Sequence, residues 1–339
     1  MLDLAKRFSE AFGVSGYEDE VRATIREVVS ELVDDVRVDT MGNLIALPRG
    51  TASSQVGQAK KVMLAAHMDQ IGLMITYVDG QGFLKFAPIG GVHALACWGS
   101  QVRFADGTVG SIGLDGRADP AAKVPGLQEM YVDVGATSAG AGLPKVGDVA
   151  AFWRPFIAQD DAWFAPNLDD RVGCAMLAQL LRELKGREIA HDLYAVFTTQ
   201  EEVGPRGAIT STYTIDPDVA IAVDVTATGD TPHARPAMEV SLGAGAAIKV
   251  QDSGLISHRG VNRLLVAAAE AARVPYQMEI LLRGTTDAHS MQAARGGIPA
   301  SCVSVPCRYI HTPSQIVDRR DAEGGVAMLA SFLSRPIEL

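Results

Sequence analysis

Five places along the chain put carboxylate or imidazole groups at the end of an apolar run or at the start of a helix. These are His67 with Asp69, the Asp169-Asp170 pair, the Glu201-Glu202 pair, Asp224 and His311. In an α/β fold such positions converge on a cleft at the carboxyl ends of the strands. Taken singly, most have an ordinary explanation. A His-x-Asp at a strand end is most often a satisfied hydrogen-bonded pair, and an acid just before the 172–184 run caps a helix. Glu201 and Glu202, with a Gly-Pro turn close behind, read as a solvated strand end. His311, which follows the apolar run 302–305, reads as a core histidine. Asp224 resists such treatment, because it lies inside the apolar run 220–225, where an unpaired buried carboxylate is costly. It demands a cation or strong donors.

Together the set is two imidazoles with Asp and Glu carboxylates and no thiolate, the donors expected for zinc, cobalt or manganese in a hydrolytic centre. Two ions a few Å apart need a shared carboxylate. Asp169 is the candidate bridge, since one oxygen can face each ion. Two acids then remain free of metal and available for protons: Asp69, just beyond candidate ligand His67, and Glu201, just before candidate ligand Glu202.

The surrounding pattern predicts the elements that would position these groups. Leu4, Phe8 and Phe12, then Val21, Ile25, Val28, Val29 and Leu32, recur at helical spacing and predict two amphipathic helices joined by a turn at residues 13–16. Residues 62–66 predict a strand buried on both faces that ends in His67-Met68-Asp69. Composition then shifts: 14 of the 34 glycines lie between Gly80 and Gly147, among short alternating runs at 83–86 and 130–134, which predicts a small all-β module. Afterwards a helix at 172–184, strands at 193–199 and 219–225, and helices at 261–273 and 318–333 are expected. The simplest organisation is an α/β domain formed by 1–69 and 156–339, interrupted by a β domain at 70–155.

Composition narrows the function classes. With 30 Lys plus Arg against 40 Asp plus Glu, the formal charge is -10, and Lys60-Lys61 and Arg319-Arg320 are isolated pairs, so a nucleic-acid partner is not expected. No run approaches the roughly 18 apolar residues of a spanning helix, and the first residues lack the apolar stretch of a signal peptide, so no membrane association is expected. Cys97, Cys174, Cys302 and Cys307 show no C-x-x-C pairing and read as reduced thiols, which points to the cytoplasm.

The motifs AAHMDQIGLMI, NLDDRVGCAM, FTTQEEVGPRGA, AVDVT and CRYIHTPSQ, in this order, resemble those of the tetrahedral aminopeptidases, also called the glutamyl or deblocking aminopeptidase family. FGVSGYEDEVR and GNLIA near the start, PIGG and VDVGATS in the expected insert, and TTDA before the last strand extend the resemblance over nearly the whole chain. It implies a zinc-peptidase-like α/β/α sandwich with an inserted, barrel-like β domain that mediates dimer contacts, the dimers building a twelve-subunit particle. It implies hydrolysis of N-terminal residues from short peptides, with two divalent ions per subunit, a metal-bridging hydroxide as nucleophile and Glu201 as general base. One ion would be held by His67 and Asp224 and the other by Glu202 and His311, with Asp169 between them. Asp69 would orient His67. A cis peptide between Asp169 and Asp170 is implied as well.

Gln70 and Gln315 depart from the family pattern, which commonly has Glu at both places, and His289 stands where small residues are usual. An S1 pocket is expected from the loops around residues 285–289 and from the insert. Some relatives carry a cellulase label, so an endo-β-1,4-glucanase using Glu201 with another acid is a rival reading. That chemistry needs neither two histidines nor a metal, and 6% aromatic residues with three Trp offer few surfaces for sugar stacking. An inactive assembly scaffold leaves the complete set of ligands and base without an explanation.

Overall fold

The computed structural model describes residues 1–48, 59–121, 123–187 and 189–339. The apolar run ahead of His67 forms the strand Lys61–His67, which is hydrogen-bonded in parallel to Asp192–Thr198 on one side and Val219–Thr226 on the other. Strand alternation sends its side chains to two different cores. Val62, Leu64 and Ala66 pack with residues of the helices Leu2–Glu10, Asp19–Val29, Leu168–Leu184, Arg259–Ala272 and Arg319–Leu333. Met63 and Ala65 pack against Arg206–Ile215 and Asp287–Gln292 on the opposite face. The result is an α/β/α sandwich around an 11-stranded mixed sheet. Ala300–Arg308 continues the parallel centre beside Val219–Thr226, then pairs antiparallel with both Ala246–Gln251 and Gln315–Asp318.

The strand ends His67 and Thr198 and the nearby Asp224, two residues before the end of its strand, therefore lie toward one carboxyl edge, with Thr198 in register with His67. Directly after this edge the chain leaves the sandwich. Gly72–Val78, Leu84–Ile89, Gln101–Phe104, Val109–Leu114, Met130–Asp133 and Val149–Phe152 close into a six-stranded barrel around Leu73, Ile75, Leu84, Val102, Ile112 and Val132. Phe12 and Val14 from the N-terminal turn pack with Val149 and Ala151, joining barrel to sandwich.

Two features add to the sequence expectation. A helical position at Leu168 precedes the expected helix, but Asp169 and Asp170 have non-helical backbone angles, so the regular helix and its hydrophobic period run only after them, as expected for 172–184. The helix Arg206–Ile215 carries no apolar stripe that periodicity detects: Thr210, Ser211 and Thr214 fold their hydroxyls back onto its own backbone carbonyls, and the Thr212 hydroxyl donates to Met63 Sδ.

Candidate metal centre

His67 is 2% exposed, and its ring is fixed from both sides. Nδ1 lies 3.1 Å from the Asp69 carbonyl oxygen and 3.5 Å from Asp69 Oδ1, while Nε2 lies 3.0 Å from Asp169 Oδ1 and 3.8 Å from Asp224 Oδ1. The other oxygen of Asp169 is 3.4 Å from His311 Nε2, which is itself 3.0 Å from Glu202 Oε2. All five candidate ligands thus gather in two overlapping groups, His67 with Asp169 and Asp224, and Asp169 with Glu202 and His311. Within each group the ligand atoms lie within 4.8 Å of one another. Asp169 belongs to both.

Local structure explains the convergence. The peptide bond between Asp169 and Asp170 is cis, and Gln315 Oε1 accepts the Asp169 N–H at 2.8 Å. Gln200 and His311 hold left-handed backbone angles, φ 58° and 60°, uncommon for such residues and concentrated at functional sites. Asp69, fully buried, accepts the Ser15 hydroxyl at 2.6 Å and the backbone N–H groups of Glu201 and Glu202.

The electrostatics ask for positive charge. Burial pushes the carboxyls of Asp224, Glu201 and Asp170 well above the usual carboxylate range, although the nearby His67 pulls each of them down. Glu202 is raised by burial and by the Asp169 charge. For Asp169, burial is outweighed by the hydrogen bonds with His311 and His67, which hold its carboxyl low. His311 in turn is raised to about 11: burial opposes this, but Asp169 and Glu202 prevail. So many desolvated acids around two imidazoles form a hard, oxygen- and nitrogen-rich donor set, and no thiolate enters it; the residues fit divalent cations of the zinc, cobalt or manganese kind.

These groups open into a cleft of about 550 Å³, also lined by Glu201, His93, Arg283, Thr285 and Thr286. A larger hollow of about 660 Å³ between the helices Arg206–Ile215 and Asp287–Gln292 contains none of the candidate ligands. His289 lines that outer hollow, its Nδ1 2.5 Å from the Gly254 carbonyl oxygen. Gln70 turns away from the centre and accepts hydrogen bonds from Asn167 and from the fully buried guanidinium of Arg171. Sequence reasoning missed Ser15, His93, and Asp287, whose Oδ2 accepts the Thr198 hydroxyl at 2.6 Å. Of these Ser15 and Asp287 lie in quoted motifs, FGVSGYEDEVR and TTDA, and none belongs to a hydrophobic period.

The sequence model of a family described as M42 glutamyl aminopeptidase matches residues 42–328. Lysyl aminopeptidase of Pyrococcus furiosus is 33% identical over 345 residues, covering 98% of this chain and 96% of its own. An aminopeptidase from the archaeon Desulfurococcus kamchatkensis superimposes with a TM-score of 0.92 at 37% identity, covering 98% of this chain and 94% of its own. The Pyrococcus horikoshii TET1 peptidase, described as able to assemble into a tetrahedron or a large octahedral shell, gives 0.88 at 28% identity with 99% of both chains covered.

Proposed function

The chain belongs to the M42 glutamyl aminopeptidase family, and on that premise we propose that it is a two-metal aminopeptidase that releases N-terminal residues from short peptides. The observation that carries this reading is the position of Asp169, with one carboxylate oxygen toward His67 and the other toward His311. His67 and Asp224 would hold one ion, Glu202 and His311 the other, and Asp169 would bridge. When bound, such a pair lowers the pKa of a water molecule and offsets the charge that develops on the scissile carbonyl oxygen. Glu201, at the cleft wall, takes the proton of the attacking water and returns it to the departing amine. Asp69 holds the His67 ring in place from the side opposite Asp169.

In this reading 1–69 and 156–339 form the catalytic domain, and 70–155 form an insert through which subunits pair into dimers and then a dodecamer. Among the described residues no helix is long and apolar enough to cross a membrane. The four cysteines are free and buried, in keeping with a cytoplasmic setting.

The test is metal-stripped protein reconstituted with zinc, cobalt or manganese and assayed on aminoacyl anilides, short peptides and their N-acetylated forms. Release of the first residue from free N-termini alone, abolished by chelator, is expected. Chelator-resistant turnover, or cleavage of a β-1,4-glucan instead of peptides, would overturn the proposal.

A further inference from the structure

The polar lining of the cleft is unbalanced. Asp169, Glu201, Glu202 and Asp224 can only accept hydrogen bonds when ionised, and the Nε2 atoms of His67 and His311 face those carboxylates. A peptide lying here finds abundant acceptors for its ammonium and amide N–H groups. Its carbonyl oxygens need donors. Two cleft side chains, His93 and Arg283, make no hydrogen bond or ion pair with any described residue.

His93 belongs to the insert, yet the backbone that delivers it is pressed against the candidate ligands. A Cβ at Gly91 would stand 2.4 Å from His311 Nδ1, and one at Gly90 would stand 3.2 Å from Glu202 Cβ and 2.8 Å from Ile71 Cγ2. Only glycines allow this approach, and Gly90 also takes φ +76°. Two residues later the chain is fixed again, where the His93 carbonyl oxygen accepts the Ala96 N–H at 2.9 Å and the Cys97 thiol at 3.4 Å. Between these anchors the His93 ring is exposed and tilted toward His311, with 6.4 Å between ring centroids.

Resting on the peptidase reading above, we propose that His93 is a substrate-binding residue supplied by the barrel insert. It donates a ring N–H to a main-chain carbonyl oxygen of the peptide next to the scissile bond. Either neutral tautomer carries one such N–H, so the contact does not require a charged ring. The insert is then a wall of the cleft, and its alignment with the sandwich bears on substrate recognition.

His93→Ala and His93→Gln are compared with wild type in three measurements: kcat and KM on a tripeptide, calorimetric affinity for a non-hydrolysable peptide with a reduced first bond, and metal content. Loss of one hydrogen bond to an otherwise unpaired carbonyl corresponds to roughly 10- to 100-fold. The alanine variant should lose that much in kcat/KM and in peptide affinity while keeping its metal, and the glutamine variant, which retains an N–H donor, should recover most of it. Both variants within twofold of wild type, equal losses in both, or loss of metal in parallel with activity would overturn the assignment. Wild-type protein that releases no N-terminal residue would instead overturn the peptidase premise, and the affinity measurement would still decide His93.

Discussion

Asp69 Oδ1 accepts the backbone N–H of Glu201 at 2.9 Å, so the residue beside the His67 ring also fixes the loop that carries the proposed base. Its second oxygen accepts the Glu202 N–H at 3.1 Å. One carboxylate thus ties both metal groups together, a wider role than orienting one imidazole. Asp69→Asn presents an NH2 group to one of these N–H donors and leaves it buried and unpaired, costing about 1–3 kcal/mol. Chemical denaturation should show that loss, and metal analysis should show reduced occupancy of both sites. A variant that loses only the His67 site would mean that the loop contacts are dispensable.

Glu18 reports on the same loop. Its Oε1 accepts the Gly16 N–H at 2.7 Å and the Gln200 N–H at 3.1 Å, and its carboxyl is raised from 4.5 to about 7, first by burial and then by the Asp69 charge. The folded protein therefore holds this proton more tightly than the unfolded chain does. The stabilisation is complete below about pH 4.5 and lost as pH rises through about 7, on the order of 3 kcal/mol in all. Glu18→Gln keeps the acceptor and removes the ionisation, so its stability relative to wild type should climb by up to that amount between pH 5 and pH 8. Denaturant unfolding of metal-free protein at both values measures it; parallel pH profiles would contradict it.

Much of this architecture was legible because the polar groups interrupt apolar runs. His67 closes a largely buried strand, Asp224 interrupts another that is buried throughout, and Glu201 follows a third. The glycine-dense 70–155 segment announced a β module because short alternating strands and tight turns share that composition. What stayed hidden depends on long-range docking. Ser15 and Glu18 sit in a turn held by hydrogen bonds between Gly13, Ser15 and Gln70, contacts that no local period encodes. Ala246–Gln251 and Tyr276–Ile280 escaped because Lys249 and Glu279, charged in sequence and therefore read as surface, form a fully buried ion pair. His93 is placed by the Gly90-Gly91 approach, which has no signature beyond two adjacent glycines.

That approach predicts a selective metal defect. Gly91→Ala drives a methyl group into the His311 ring, 2.4 Å from Nδ1 and 2.7 Å from Cε1, and the ring must move. The His67, Asp169 and Asp224 group is not touched. Elemental analysis should find about one equivalent of metal lost, with the other retained, together with a large loss of activity. Full occupancy of both positions would show that His311 is not a ligand.

Metal should also stabilise the fold. Without cations Asp224, Glu202 and Glu201 are all raised chiefly by burial, so ionising them near neutral pH opposes folding. A cation that binds only the folded state at about 100 times its Kd adds about 2.7 kcal/mol per site. Thermal melts at pH 7 should rise on adding zinc, cobalt or manganese to stripped protein and fall again with chelator. The increment should shrink toward pH 5, where protons compete for the same carboxylates. A melt indifferent to metal would remove the centre from the account.

The last prediction separates proton transfer from metal binding. Burial pushes the Glu201 carboxyl well up, opposed by His67 and reinforced by the Asp224 charge, and the proposed role asks this carboxylate to take and return a proton. Glu201→Gln preserves size, and it preserves the backbone N–H held by Asp69, so the loop should stay in place. It cannot accept the proton. The expected result is a fall of about 10²- to 10⁴-fold in kcat, with KM and metal content near wild type. Loss of metal along with activity would make Glu201 a ligand. Retained turnover would move the base elsewhere, with Asp287 next to be tested, because it is buried, interacts electrostatically with Glu201 and has one unpartnered oxygen.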